Sequence, residues 1–312
     1  MNTSLFKYAV EVERTSSISR AARNLMMAQP NLSKAIKELE EAIGFAIFER
    51  TPKGVIPTPR GNVFLDYARS ILSQIESIEA LSAAAGKDLQ KFAITVSRGS
   101  WLSGAIVSFA AGLDEELGLD LDIRETSSME VINNVTSGRY NLGIIRYRSI
   151  YEQYFSDFLT HHRLSSETVW DFECLVLMSS AHALANVDRL EPEMLKQYTE
   201  IIHGDNVIPY LSTRAEAGQE HGAQVSRHIR LYERGNQFEL LSHMPTTFMW
   251  SSPIPEDMLK RYGLVQRKCP LPDNSYKDLL IYPAGHRFTV LEKRFIEQLG
   301  ASRDKVAAQV CN

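Results

Sequence analysis

A chain of 312 residues, 44% hydrophobic and 23% charged, has the composition of an ordinary folded protein with room for two cored domains, which argues against disorder as its organising state. No stretch approaches the ~18 consecutive apolar residues of a membrane span, and acidic residues interrupt the first fifteen positions. Neither export nor membrane insertion is therefore expected, and the cytoplasm is the expected location. The net charge of −4 hides an asymmetry: residues 1–61 carry nine Lys/Arg against six Glu, so a head of +3 precedes a body of −7. That is the footprint of a protein with one end that meets phosphate.

Leu5, Phe6, Ala9, Val10 and Val12 predict a first short amphipathic helix. Ile18, Ala21, Ala22 and Leu25 predict a second, with Ser17 or Ser19 to cap it. After the break at 26–28, Pro30 announces a third helix with Leu32, Ile36, Leu39 and Ile43 inward and Gly44 as its stop. Its other face carries Pro30, Ser33, Lys34 and Lys37, with Gln29 at the exposed N-terminal end. Short polar groups and an amide suit base edges, and Lys suits phosphates. Two small helices around a tight break read as helix-turn-helix, although periodicity alone also fits a generic three-helix unit with a solvated face. The next residues decide between them. Two β-prone runs, 45–50 and 55–57, flank Thr51-Pro-Lys-Gly54, which predicts a wing with Arg50 and Lys53 beside the minor groove or backbone.

The stretch AARNLMMAQPNLSKAIKELEEAIGFAIFERTPKGVIPTPRG resembles the DNA-binding signature of the LysR-type transcriptional regulators. It carries A-A-x-x-L, Q-P-x-L-S, I-x-x-L-E and the wing element with spacing intact over about forty residues. Phe45 and Ile47 vary apolar positions, Pro57 replaces a usual Leu, and Ala28 leaves the third helix without a hydroxyl N-cap. The resemblance implies that Gln29, Pro30, Ser33 and Lys34 approach bases or nearby backbone of double-stranded promoter or operator DNA. Lys37, Arg50 and Lys53 would then meet phosphates or the wing's groove.

Thr58-Pro59 opens a run that stays helical in character to about Ala85, some 40 Å at 1.5 Å per residue. Phe64, Ala68, Ile71, Ile75 and Ile78 form a seam of 3.5-residue period, which predicts pairing with a second copy. Residues 83–90 are the expected hinge.

From residue 92 strands and helices alternate: 92–97, a helix near 101–117, 119–124, a helix near 129–137 and 141–146. Candidate strands 175–178, 199–203, 229–233 and 247–250 follow, and 279–282 with a helix near 290–299 returns to the first part. A mostly parallel sheet with helices on both faces is expected. The order is similar to the regulatory half of the LysR-type family, a two-lobed fold like periplasmic solute-binding proteins. The expected fold class is thus α/β behind an all-α/winged N-terminal domain. Residues 1–58 form the winged helix-turn-helix, 59–90 the linker helix and hinge, and 91–312 the effector domain. Lobe I takes about 91–165 and 268–302, and lobe II about 166–267.

By that resemblance the effector cleft is lined by Ser97, Ser100, Trp101, Thr126, Ser127, Ser128, Arg146 and His203. Hydroxyls at strand-to-helix turns favour an anion or carboxylate, and Arg146 is placed to pair with one. For Ser127 and Ser128 plain helix capping is an equal reading, and Arg146 has a nearby Glu as its alternative partner. The family resemblance further implies a dimer of dimers and recruitment or blocking of RNA polymerase.

No catalytic residue, metal or cofactor is expected, since His161, His162, His182 and His203 are scattered and no GxSxG elbow occurs. Cys174, Cys269 and Cys311 form no CxxC pair, which favours reduced structural thiols over a disulfide framework or zinc site. A thiol-based redox-sensing regulator is the rival reading. A solute-binding protein without a regulatory role is the other, and the basic winged head argues against it.

Overall fold

The computed structural model describes residues 3–51, 54–83, 89–203, 225–232 and 235–310. The chain divides into two compact units, Met1–Leu89 with Asn133–Asn141, and Gln90–Ile132 with Leu142–Asn312.

In the first unit α1 (Thr3–Thr15), α2 (Ile18–Asn24) and α3 (Gln29–Ile43) bury the inward stripes that the sequence spacing predicts, among them Phe6, Ala9, Ala21, Leu32, Ile36 and Leu39. Ser17 caps α2, its Oγ accepting from Arg20 N at 3.4 Å. The turn into α3 passes through Met26 at a left-handed φ of 52°. Ala28 opens α3 with no side-chain cap, and Gly44 closes it at φ 80°, where a residue without Cβ is favoured.

The hairpin β1 (Phe48–Thr51) and β2 (Gly54–Pro57) follows, antiparallel, with Phe48 opposite Pro57. Glu40 ties helix to hairpin: its Oε1 accepts from Ile47 N at 2.7 Å and Phe48 N at 3.0 Å. Thr58 Oγ1 then accepts from Gly61 N at 2.9 Å to cap α4 (Pro59–Ala83), and donates to Ala46 O at 2.7 Å.

The seam on α4 differs from the expected one. Leu65, Ala68 and Leu72 turn into the core of the first unit, and Phe64 packs against it. Val63, Tyr67, Ile71 and Ile78 stay exposed. One apolar stripe serves the winged core, so the stripe left in solvent is displaced around the helix from the predicted set.

Apart from Leu89 and residues 133–136, which fall with the first unit, the second unit's first lobe contains β3 (Leu89–Ser97), α5 (Ser100–Ala111), β4 (Gly118–Thr126), α6 (Ser128–Thr136), β5 (Gly143–Arg148), α7 (Glu152–His161) and β6 (Leu164–Glu173). The second contains β7 (Leu175–Ser179), α8 (Pro192–Leu195), β8 (Thr199–His203), β9 (His228–Leu231), α9 (Gln237–His243), β10 (Thr247–Ser251), α10 (Glu256–Tyr262) and β11 (Leu264–Arg267). The chain returns to the first lobe as β12 (Ser275–Pro283) and α11 (Val290–Val310). The two five-stranded sheets run β4-β3-β5-β12-β6 and β11-β7-β10-β8-β9.

Two expectations are corrected here. The sheets are mixed, because the returning strand β12 lies antiparallel to both β5 and β6, and β7 lies antiparallel to β10 and β11. Parallel pairing holds for β3 with β5 and for β8 with β9 and β10. The first crossing between lobes falls at Cys174 instead of near 165, since β6 pairs along the whole of β12 up to Glu173 opposite Ser275. The return crossing lies between Arg267 and Ser275, and the two crossings are clasped: Cys174 N donates to Asn274 O at 3.3 Å, and Asn274 Nδ2 donates to Cys174 O at 2.8 Å.

Candidate functional site

On α3 the buried stripe fixes which side faces solvent. Gln29, Pro30, Lys34 and Lys37 are exposed and Ser33 is half-buried. Lys34 reaches Glu38 at 3.7 Å and Lys37 reaches Glu41 at 3.6 Å, both across one turn in open solvent. Such pairs are worth at most a few tenths of a kcal/mol, about 0.3–0.5, so a phosphate can displace them. Lys53 lies outside the described residues, and of Arg50 only the backbone, in β1, is described.

The second candidate site is a cavity between the two lobes, with about 170 Å³ accessible to the centre of a water-sized sphere. Ser97, Ser100, Thr126, Ser127, Ser128, Arg146 and His203 all line it, as the sequence order predicted. Trp101 does not. As the second residue of α5 it points into the first lobe's core, where it is fully buried and its Nε1 donates to Asp278 Oδ2 at 2.9 Å.

Asp278 is also the partner of Arg146. The guanidinium is bidentate, Nε to Oδ1 and Nη2 to Oδ2 at 2.7 Å each, with Nη1 donating to Arg98 O at 3.0 Å. Its Cζ lies 4.8 Å from the centroid of Phe172. Burial works against the Arg146 charge, and the Asp278 carboxylate more than offsets this, raising the guanidinium pKa above its ordinary value. Gly99 is needed beside it, since a Cβ there would stand 2.7 Å from Arg146 Nη2.

Of the two serines opening α6, Ser127 Oγ accepts from Glu130 N at 3.3 Å, a capping bond. Ser128 Oγ donates to Arg146 O at 2.7 Å and accepts from Arg146 N at 2.9 Å, so it stitches α6 to β5. Both serines therefore do structural work while facing the cavity. Ser97 Oγ is buried among the lining residues with no hydrogen-bond partner, and so is Gln237 Oε1.

Sequence reasoning included Arg98 in its loop 97–101 but missed other parts of the wall, among them Tyr147, Arg148 and Phe155 from the first lobe and Gln237, Phe238 and Trp250 from the second. Gln237 and Phe238 begin α9, a seven-residue helix too short to announce itself by periodicity.

Three comparisons bear on this arrangement. Residues 3–62 match the family described as bacterial regulatory helix-turn-helix protein, lysR family, and residues 94–303 match the LysR substrate binding domain. The chain belongs to the LysR family. A probable cat1 operon transcriptional activator of Acinetobacter lwoffii is 30% identical over 147 residues, 47% of this chain and 48% of that protein. The transcriptional regulator MetR of Salmonella typhimurium is 25% identical over 263 residues, 82% of this chain and 76% of that one. The chain thus spans about half to three quarters of the length of these relatives. Among solved structures, full-length LysG of Corynebacterium glutamicum, with bound effector Arg, superposes with a TM-score of 0.60 at 12% identity, covering 98% of this chain and 99% of that one. Full-length OxyR of Pseudomonas aeruginosa gives 0.57 at 18%, covering 97% and 94%. At such identities the likeness is one of fold, and it extends over nearly the whole LysR-family chain.

Proposed function

We propose that this LysR-family protein is a sequence-specific regulator that binds duplex promoter DNA through α3 and the wing, and is switched by a small organic anion held between its lobes. The observation that carries the reading is the split of α3: Leu32, Ile36 and Leu39 are buried, while Gln29, Pro30, Lys34 and Lys37 stand in solvent at the helix's N-terminal half. Ser33, Arg50 and Lys53 complete the proposed DNA face.

The exposed apolar stripe Val63, Tyr67, Ile71 and Ile78 supports pairing of two copies through α4, and a dimer of dimers is the proposed assembly. Effector-driven rearrangement of the lobes then alters the spacing of the heads on DNA, and with it recruitment or blocking of RNA polymerase. The proposed site of action is the cytoplasm.

An anion is supported by the charge of the wall. Arg98, Arg146 and Arg148 line the cavity, and no Asp or Glu does among the described residues. Arg146 is matched by Asp278, whereas Arg148 donates to a neutral group, the backbone carbonyl of Asp273, at 3.0 and 3.2 Å.

The test is binding of the purified full-length chain to genomic fragments across a salt series. A preferred fragment is expected, with affinity falling linearly on a log–log plot of salt. Lys34→Ala and Lys37→Ala should each reduce the slope by about one. No salt-sensitive preference for any fragment, with Ser33→Ala/Lys34→Ala indistinguishable from the parent, overturns the reading.

A further inference from the structure

The cavity is not symmetric in its chemistry. Every arginine that lines it comes from the first lobe, as do the starts of α5 and α6, whose first-turn N–H groups favour negative charge. The second lobe supplies no charged carboxylate or guanidinium among the described lining residues. It supplies apolar and aromatic surface, Leu177, Phe238, Met249 and Trp250, together with Gln237 and His203.

Two buried polar atoms face this space without partners, one from each lobe. Ser97, 4% exposed, ends β3 beside the start of α5, and its Oγ is unpaired. Gln237, 3% exposed, opens α9, and its Oε1 is an unpaired acceptor. A buried polar group left without a partner costs about 1–3 kcal/mol, so such groups mark where a ligand's own polar atoms belong. Ser97 has a hydroxyl to donate to an anion. Gln237 Oε1 needs a donor.

Aromatic residues complete the description. Tyr147 and Phe155 are stacked at 4.5 Å between centroids with 13° between planes on the first lobe's side, and Phe238 and Trp250 stand on the second. The accessible volume corresponds to roughly a dozen water-sized groups. That suits a single ring with one or two substituents.

We infer that the effector is a small aromatic carboxylate bearing a hydroxyl or amino donor, its carboxylate on the first lobe at Ser97 and the helix starts, its donor on the second at Gln237. The inference rests on the effector-cleft reading above and deepens it. A ligand held at both ends belongs to both lobes at once, so its binding stabilises one relative arrangement of them. A carboxylate alone, or a ring alone, engages one lobe and shifts nothing.

The experiment is calorimetric titration of the full-length protein with benzoate, the three monohydroxybenzoates, 4-methoxybenzoate, cyclohexanecarboxylate, 4-hydroxybenzyl alcohol and succinate. At least one monohydroxybenzoate is expected to bind ten-fold or more tightly than benzoate, with cyclohexanecarboxylate weaker and the alcohol undetectable. Gln237→Leu should collapse the hydroxyl preference to about one, with Gln237→Met, which also lacks the amide oxygen, as a second variant should the first not fold. Ser97→Ala should weaken every carboxylate. Tight binding of succinate with none of the ring acids overturns the aromatic class, and so does a hydroxyl preference unmoved by both Gln237 variants. Either result leaves salt-dependent DNA binding standing, whereas loss of that binding removes the regulator reading itself.

Discussion

Arg146 and Asp278 sit directly opposite each other on β5 and β12 and are joined by two hydrogen bonds of 2.7 Å, beneath the floor of the inter-lobe cavity. The same carboxylate holds Trp101 at the start of α5, and Ser128 at the start of α6 brackets the Arg146 backbone. The two residues of this ion pair therefore hold both helix starts against the central strands, Asp278 through its carboxylate and Arg146 through its backbone. Removing one partner leaves a charge in the interior, which costs about 3–5 kcal/mol. Asp278→Ala is expected to lower the melting midpoint by on the order of 10 °C, read by thermal unfolding of the full-length protein. A drop of only a degree or two would mean that the pair is not holding the lobe.

Glu40 belongs to the I-x-x-L-E element of the signature, yet its carboxylate points at the hairpin and not at solvent. It satisfies the N–H groups of Ile47 and Phe48, where the chain leaves α3 for the wing. Glu40→Ala leaves two donors without this acceptor and should destabilise the winged unit by about 1–3 kcal/mol. Glu40→Gln keeps an amide oxygen in place and should restore most of that. Chemical denaturation of the two variants, followed by the same DNA titration, separates this scaffold role from a direct DNA contact.

The N-terminal unit was legible in the sequence because each of its signals is local. Pro30 and Gly44 bound α3 and Thr58 caps α4, each acting within a few residues of its own position. The cavity was legible where it is built from strand-to-helix turns, as at Ser97 and Ser127. It was not legible where long-range pairing decides. Asp278 lies 132 residues from Arg146 and 177 from Trp101, and nothing in the sequence around it announces either partner. Trp101 looked like a cleft residue because it stands one position from Ser100, and a single 100° step on α5 turned it into the core. On α4 the apolar positions were read as one seam, although the helix carries two stripes with different partners.

His182 gives the second unit a pH response. The ring is buried, its Nδ1 accepts from Leu184 N at 2.9 Å, and it packs on Tyr198 at 4.3 Å between centroids. Burial lowers its pKa below the ordinary 6.5, so the neutral form belongs to the folded state. The resulting stabilisation is complete above about pH 6.5 and is lost as pH falls toward and through the folded-state value. Melting midpoints should therefore decline from pH 7 to pH 5, and His182→Asn, which keeps an acceptor near Nδ1, should flatten part of that slope. Parallel profiles for parent and variant would exclude His182 as the cause.

The thiols bear on the rival redox reading. Cys269 is buried, and burial followed by the nearby Glu191 pushes its thiol up to about 11. At neutral pH only about one part in ten thousand is then thiolate, the form that attacks peroxides and alkylating agents. Cys174 is buried as well, at the crossing between lobes, where its backbone and not its sulfur makes the clasp with Asn274. Native protein at pH 7 should leave Cys269 unlabelled by iodoacetamide over an hour and label it fully in denaturant, as read by peptide mass spectrometry. Brief treatment with hydrogen peroxide should correspondingly leave DNA affinity within two-fold of its starting value. Rapid native labelling of Cys269, together with a peroxide-dependent change in affinity that Cys269→Ser abolishes, would instead make this thiol the sensor and displace the bound anion from that role.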